Sequence, residues 1–225
     1  MFQEAYQSTW EIDTVIIRED AYEALAKEID TLPTEQIMIA NKRDFQALST
    51  HVQAEGIITI LSFPDTKDRL AQSNARPFAT GPTFILDGIQ DPGNLGTIIR
   101  TIDWFAIPNL VYGPGTVDLY SPKTLRSSMG SVFRVHTTYV KDLLAFVQQC
   151  QGKVWLTAMR GTPLSEVDFR KNDFIILGNE ANGISEALKG LSGIHFVSIV
   201  GKGSAESLNV GVAAGIMAWE ISKML

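Results

Sequence analysis

The sequence contains one cysteine, Cys150, and only three histidines, His51, His136 and His195. A lone thiol excludes an internal disulfide, and histidines so scattered lack the close spacing of metal ligands, so neither a disulfide nor a metal is expected. No run approaches the roughly 20 apolar residues of a membrane span. The opening stretch, MFQEAYQSTWEID, has neither the basic flank nor the apolar run of a secretory signal. The expectation is a cytoplasmic protein with no membrane partner. No phosphate loop with its lysine occurs, and no G-x-G-x-x-G follows a strand, which disfavours a dinucleotide site. Internal repeats and low-complexity runs are missing too.

What is present is 225 residues with 45% hydrophobic content, enough for one good core or a core plus a small satellite domain. The net charge of -6 argues against a polyanionic partner only as a sum. Residues 1–65 hold 12 acidic and 4 basic residues, whereas the remainder holds 13 and 15. Any polyanion is drawn to the second part.

In the first part, Thr14–Ile17, EQIMIA and GIITIL read as short strands around an acidic helix, Asp20–Ile29. This is a small α/β domain, residues 1–63. No helix is predicted before its first strand, an abrupt start that suggests a missing N-terminal piece. Residues 64–80 lose apolar periodicity and read as a linker. Over 81–225 the predicted order is strand Thr83–Asp87, a helix from about Asp91, strand Leu110–Tyr112, a helix around Ser121–Gly130, and strand Val132–His136. The segments Lys141–Cys150, Val154–Ala158, Phe174–Leu177 and His195–Ile199 follow, then a last helix from about Ser207. The fold class is α/β, a mainly parallel sheet with helices on both faces, plus the small N-terminal α/β domain.

Ligands of open parallel sheets sit beyond the carboxyl ends of the strands, so the loops there are where chemistry is expected. In DPGNLGTIIRTIDW, Asp91 suits a helix cap and Pro92 the first helical position, while Leu95, Ile98, Ile99, Ile102 and Phe105 form a buried stripe. Arg100 lies off that stripe, one turn after Gly96, whose missing side chain leaves space beside the guanidinium. With Asn94 and the exposed amides of the first turn it makes a candidate phosphate seat. The alternative is a solvated helix arginine beside turn-forming glycines. In DFIILGNEANGIS a buried strand runs into Gly178, Glu180 and an Asn182-Gly183 turn, able to bring backbone close to a ligand. Glu180 is the acid available to orient the arginine or a hydroxyl, or is a surface carboxylate. In SIVGKGSAESLNVGVAAGIMAWEI a loop of small residues leads into a helix with Ser207 near its start. Gly211, Ala214, Gly215 and Ala218 give that helix a narrow face open to another backbone. Ser207 and Asn209 supply a hydroxyl and an amide for a ligand, or for capping.

Together, DPGNLGTIIRT, LGNEANGIS and SLNVGVAAGIMAWE resemble, in order, the three motifs of the SpoU or TrmH family of RNA 2'-O-ribose methyltransferases. SPKTLRSSMGSVFRV looks like the family's arginine-and-serine stretch between the first two. The resemblance covers about residues 81–225, and residues 1–63 resemble more weakly the family's small substrate-binding domain. It implies a C-terminal trefoil knot, which ordinary connection rules would exclude. It also implies a homodimer through the knot region, and S-adenosylmethionine held largely by main chain at Leu177, Gly178, Ile199, Leu208 and Asn209. The implied catalytic set is Asn94, Arg100, Glu180, Ser207 and Asn209. A guanidinium holds its proton at neutral pH, so Arg100 is expected to grip a phosphate and stabilise a forming alkoxide rather than act as a base.

For RNA the resemblance adds Arg126, with Ser128 nearby, and Lys123 and Arg134 extend the patch; solvated helix cations are the alternative for the lysines. Gly211 stands where the family often has serine, and SIVGKG lacks a proline common after that strand. The family modifies ribosomal and transfer RNA, and the extra N-terminal domain favours ribosomal RNA. A non-catalytic RNA-binding or ribosome-assembly protein that keeps the knot is the competing reading, which intact Asn94, Arg100, Glu180, Ser207 and Asn209 disfavour.

Overall fold

The computed structural model describes residues 1–49, 55–62 and 81–225, and the expected linker over 64–80 lies outside them. The chain divides into two compact units, Met1–Thr66 and Lys67–Leu225. In the first unit a helix does precede the first strand: α1, Phe2–Tyr6, buries Phe2 and Ala5. The expectation of no helix before that strand is therefore wrong; a five-residue helix is too short to show apolar periodicity. Strand β1 (Ile12–Arg18) is central, with β2 (Ile37–Ala40) parallel on one side and β3 (Ile57–Leu61) antiparallel on the other. The acidic helix opens as a 3-10 turn and becomes α2, Tyr22–Ile29. A helix absent from the sequence reading, α3 (Lys42–Leu48), is capped by Asn41, whose Oδ1 accepts from Asp44 N at 3.0 Å.

The second unit is a six-stranded, all-parallel sheet among the described residues: β4 (Thr83–Asp87), β5 (Asn109–Tyr112), β6 (His136–Tyr139), β7 (Val154–Pro163), β8 (Phe174–Gly178) and β9 (Ile194–Ser198), in the order β6-β5-β4-β8-β7-β9. Both faces are buried, so the strands read as apolar runs rather than alternating ones. Phe84, Leu86, Ile175 and Leu177 point to one face, beneath α4 (Pro92–Trp104) and α8 (Val210–Ser222). Ile85, Leu156 and Ile176 point to the other, beneath α6 (Leu143–Gln148) and α7 (Glu186–Lys189). Helix α5 (Pro122–Ser128) lies against α4. No helix among the described residues is long and apolar enough to cross a membrane.

The strand expected at Val132–His136 is displaced. Met129 and Gly130 take left-handed φ of 49° and 87°, turning the chain into a 3-10 turn at Ser131–Phe133, and the strand begins only at His136. Helix α4 forms as anticipated: the Asp91 carboxylate accepts from Asn94 N at 2.8 Å and Pro92 occupies the first turn. It stops where Ala106 adopts φ 54° and Ile107 N reaches back to Ile102 O at 2.8 Å, a Schellman-type closure. The last helix starts at Val210 rather than near Ser207, because Asn209 is the cap: its Oδ1 accepts from Gly211 N and Val212 N at 2.8 and 3.3 Å.

Candidate active site

The carboxyl ends of β4, β8 and β9 bring together residues far apart in the chain. Asn209 Nδ2 donates to Asn94 Oδ1 at 2.9 Å, and Asn94 Nδ2 donates to Glu180 Oε1 at 2.9 Å. Glu180 Oε2 accepts from Gln90 N at 3.4 Å. The direction of this relay is chemically forced. Because Asn209 Oδ1 takes the free N–H groups of α8, its NH₂ must face Asn94, whose own NH₂ is then left for the carboxylate. Each amide retains a second N–H, so the relay presents donors to an incoming oxygen while its acceptors are held internally. Glu180 thus orients Asn94; no contact between it and Arg100 is found among the described residues.

Two sequence-predicted residues stand apart from the relay. Arg100 is exposed on α4 and makes no hydrogen bond or ion pair among the described residues. Ser207, exposed and two residues ahead of the α8 cap, is likewise without a partner among them. The phosphate seat expected at the start of α4 is already taken by protein carboxylates. Asp91 occupies the first free amides and Glu180 lies alongside, so a second anion at that point would meet repulsion. The space expected beside Gly96 is also filled. A Cβ there would come within 2.7 Å of Thr124 O and 2.9 Å of Ser128 N, so the glycine exists to let α5 approach α4. The narrow face of α8 likewise serves its own chain: a Cβ on Gly211 would lie 3.1 Å from Thr97 Cγ2, and one on Gly215 3.8 Å from Thr101 Cγ2.

The RNA candidates separate in the same way. Ser128 is fully buried and donates to Leu125 O at 2.8 Å, so it presents nothing to a ligand. Lys123 Nζ is 2.9 Å from Asp91 Oδ2, and that ammonium, with the α4 amide of Asn94, holds the Asp91 carboxyl below its ordinary range. Arg134 is paired with Asp103 at 2.8 Å. Arg126 is exposed on α5.

Two further residues, Asn179 and Asp87, tie the loops together and escaped the sequence reading, and they do so with the anticipated Gly183 turn. Asn179 Nδ2 donates to Gly88 O at 2.7 Å while its Oδ1 accepts from Ala181 N and Asn182 N at 2.9 and 3.0 Å. Asp87 Oδ2 accepts from Ser185 N at 2.7 Å. Gly183, at φ 68°, closes the turn through reciprocal bonds with Asn179 of 2.9 and 3.0 Å. An asparagine directly after a strand-ending glycine was the available signal, since its side chain readily makes such a turn.

Among the cofactor positions, Leu177 has a wholly buried side chain, so only its main chain is open to a ligand. A Cβ on Gly178 would strike the Gly183 carbonyl oxygen at 2.7 Å, which makes the glycine a requirement of the loop itself. Ile199 is half-buried and Leu208 exposed. Residues 200–208 are exposed, and none of their backbone groups is hydrogen-bonded among the described residues. So long a stretch of free donors and acceptors beside a polar relay suits a ligand read by main chain.

A family model described as the SpoU rRNA Methylase family matches residues 81–219. The 23S rRNA (guanosine(2553)-2'-O)-methyltransferase RlmP of Bacillus subtilis is 31% identical over 209 residues, covering 88% of this chain and 79% of its own length. The AdoMet-bound rRNA methyltransferase from Sinorhizobium meliloti superposes with a TM-score of 0.82 at 25% identity, over 100% of this chain and 84% of that one. The SpoU methyltransferase AviRb from Streptomyces viridochromogenes, in complex with AdoMet, shares the fold with a TM-score of 0.84 at 24% identity, over 99% of this chain and 86% of that one. Sequence motifs, sheet order and the loops at its carboxyl edge thus agree: the chain belongs to the SpoU rRNA methylase family and is a methyltransferase.

Proposed function

We propose that this chain methylates a ribose 2'-hydroxyl of structured RNA, large-subunit ribosomal RNA first among candidates, with S-adenosylmethionine as methyl donor. The observation that carries the proposal is the Glu180–Asn94–Asn209 relay set beside a loop of unpaired backbone. That loop fits the cofactor: the free amides and carbonyls of 200–208 suit an adenine edge and a ribose, and Leu208 offers apolar cover. When bound, the cofactor supplies a methyl already activated on a sulfonium. What remains for the protein is to place the hydroxyl in line and to offset its growing negative charge. The relay supplies two fixed N–H donors for the hydroxyl oxygen. Arg100, which makes no ion pair among the described residues because the neighbouring Asp103 is held by Arg134, is available for the phosphate next to the target ribose, and its planar fork binds two oxygens at once. Ser207 adds a hydroxyl from the cofactor side. As the O–CH₃ bond forms and the S–CH₃ bond breaks, the hydroxyl proton leaves through the phosphate or water, since the guanidinium has no free acceptor.

The reading extends to features implied by the family. The chain after β8 threads the trefoil knot, running from β9 at one sheet edge back to α8 beside α4. A second copy covers the exposed apolar face formed by Trp104, 81% exposed, Val212 and Trp219. The acidic residues 1–63 stand apart from the RNA grip, which falls to the second unit, and the protein works in the cytoplasm.

The test is to map 2'-O-methylation in RNA from cells with and without the gene, then to repeat methyl transfer in vitro on the site found. Loss of one ribosomal methyl is expected, and Arg100→Lys should lose most turnover because an ammonium cannot reproduce the fork. No change at any site would refute the enzymatic reading, and near-normal turnover of Arg100→Lys would refute the clamp.

A further inference from the structure

A cleft of about 490 Å³ lies at the opposite edge of the second unit's sheet from the relay. It is built where three neighbouring strands begin: Gln151, Gly152 and Lys153 ahead of β7, Arg170 to Asp173 ahead of β8, and Gly193 with His195 at the start of β9. Lys153, Arg170 and Lys171 all line it, and all are exposed. Several other surface cations of this unit, though not Arg100, are matched by local acids, as in Lys123–Asp91, Arg134–Asp103, Lys189–Glu186 and Lys223–Glu220. These three are not: among the described residues none has an ion pair or a side-chain hydrogen bond. The one acid lining the cleft, Asp173, is buried and turned inward, accepting from Trp155 Nε1 at 2.9 Å and from Arg170 N at 3.1 Å. His195 rests against the Trp155 ring at 4.9 Å between centroids, and Lys153 Nζ lies 5.5 Å from the same ring, so both are positioned from beneath by one fixed aromatic.

We infer that this cleft binds RNA phosphodiesters remote from the target ribose. The inference rests on the RNA reading above and names a second contact for the same substrate. Strand β8 alone separates the two edges by about 17 Å, at roughly 3.3 Å for each of its five residues. Because helices cover both faces of the sheet, an RNA must pass around them to reach from one edge to the other, so a short target occupies one edge only and a folded RNA domain reaches both. The cleft accordingly selects structured RNA rather than a sequence, as phosphate contacts do.

The experiment compares wild type with K153E/R170E/K171E, and with the gentler pair Lys153→Gln and Lys171→Gln, on large-subunit ribosomal RNA and on a short hairpin carrying the methylated nucleotide. S-adenosylmethionine binding by titration calorimetry checks folding and should be unchanged. For the large RNA, the slope of log affinity against log salt should fall by about 0.7 to 0.9 for each cation removed. KM should rise while kcat at saturation stays the same, and hairpin affinity should not move. An unchanged slope and KM for the large RNA would overturn the inference. So would equally tight binding of ATP, which would make the cleft a small-anion site. Filter binding reads the slope even if no methyl transfer occurs, so failure of the enzymatic reading is seen separately.

Discussion

Asn209 holds two positions at once, and its two functions separate by substitution. Its Oδ1 caps α8 and its Nδ2 holds Asn94. Asn209→Asp keeps an oxygen for Gly211 N and Val212 N, and a carboxylate at a helix N-terminus is favourable. The second carboxylate oxygen, however, then faces Asn94 Oδ1. Turning the Asn94 amide over would only move the clash to Glu180, so the relay breaks. Asn209→Ala loses cap and relay together. Cap loss costs about 1 kcal/mol, which for a chain of this size lowers Tm by roughly 2–4 °C. The Asn209→Asp variant should melt at or slightly above wild type. In a tritiated-methyl assay at saturating RNA both should lose kcat by about 10²-fold, the usual result of a misplaced or missing preorganised donor. Wild-type kcat in Asn209→Asp would refute a functional relay, and an unaltered Tm in Asn209→Ala would refute the cap.

Other perturbations are read more simply. Gly96→Ala gains about 1 kcal/mol of helix propensity but drives a methyl into the backbone of α5, and overpacking of about 1–3 kcal/mol should win because Thr124 O and Ser128 N cannot rotate away; an unchanged or raised Tm would contradict the close helix contact. The Lys123 ammonium and the Asn94 amide hold the Asp91 carboxyl below its ordinary 3.8, so their contribution to stability is complete at neutral pH and disappears as pH falls through that lowered value. Lys123→Ala should move the Asp91 titration, followed by carbon NMR of the carboxyl, upward toward 3.8, and no movement would exclude the ion pair. Burial pushes the Cys150 thiol up to about 12, so a disulfide reagent in mildly alkaline buffer should modify it slowly in the native protein and quickly in denaturant. Equal rates would mean the site is open.

The sheet and its helices were legible where local chemistry and burial agree. TFILD and FIILG are continuous apolar runs because both faces are covered, and Asp91-Pro92 announces a helix start in two adjacent letters. Sequence reasoning failed where a distant segment decides. Val132–His136 has strand composition, yet two left-handed residues upstream reset its entry, and the strand that pairs with β5 is the polar HTTY. Gly96 reads as open space until α5 is placed against it. The relay was legible only as separate candidates: its members lie 86 and 115 residues apart, and no spacing rule says that Asn94 rather than Arg100 meets Glu180.

That exchange of partners has a mechanistic consequence. Asn94 and Arg100 are six residues apart on α4, which places them about 9 Å apart along the axis and about 120° around it. Between them runs the seam where Thr97 and Thr101 meet Gly211 and Gly215. Were Glu180 paired with Arg100, the guanidinium would be neutralised and drawn toward the relay, and the phosphate would lose its cation. With Glu180 committed to Asn94 and Gln90, negative charge stays at the start of α4 and positive charge stays a turn and a half further on. In the proposed complex an RNA backbone entering the site is repelled from the first point and attracted to the second. Under the proposed function, this polarity favours one orientation of the nucleotide, with its phosphate at Arg100 and its sugar toward the amides of Asn94 and Asn209. On that proposal, preference for a ribose hydroxyl follows from where the charges are kept apart.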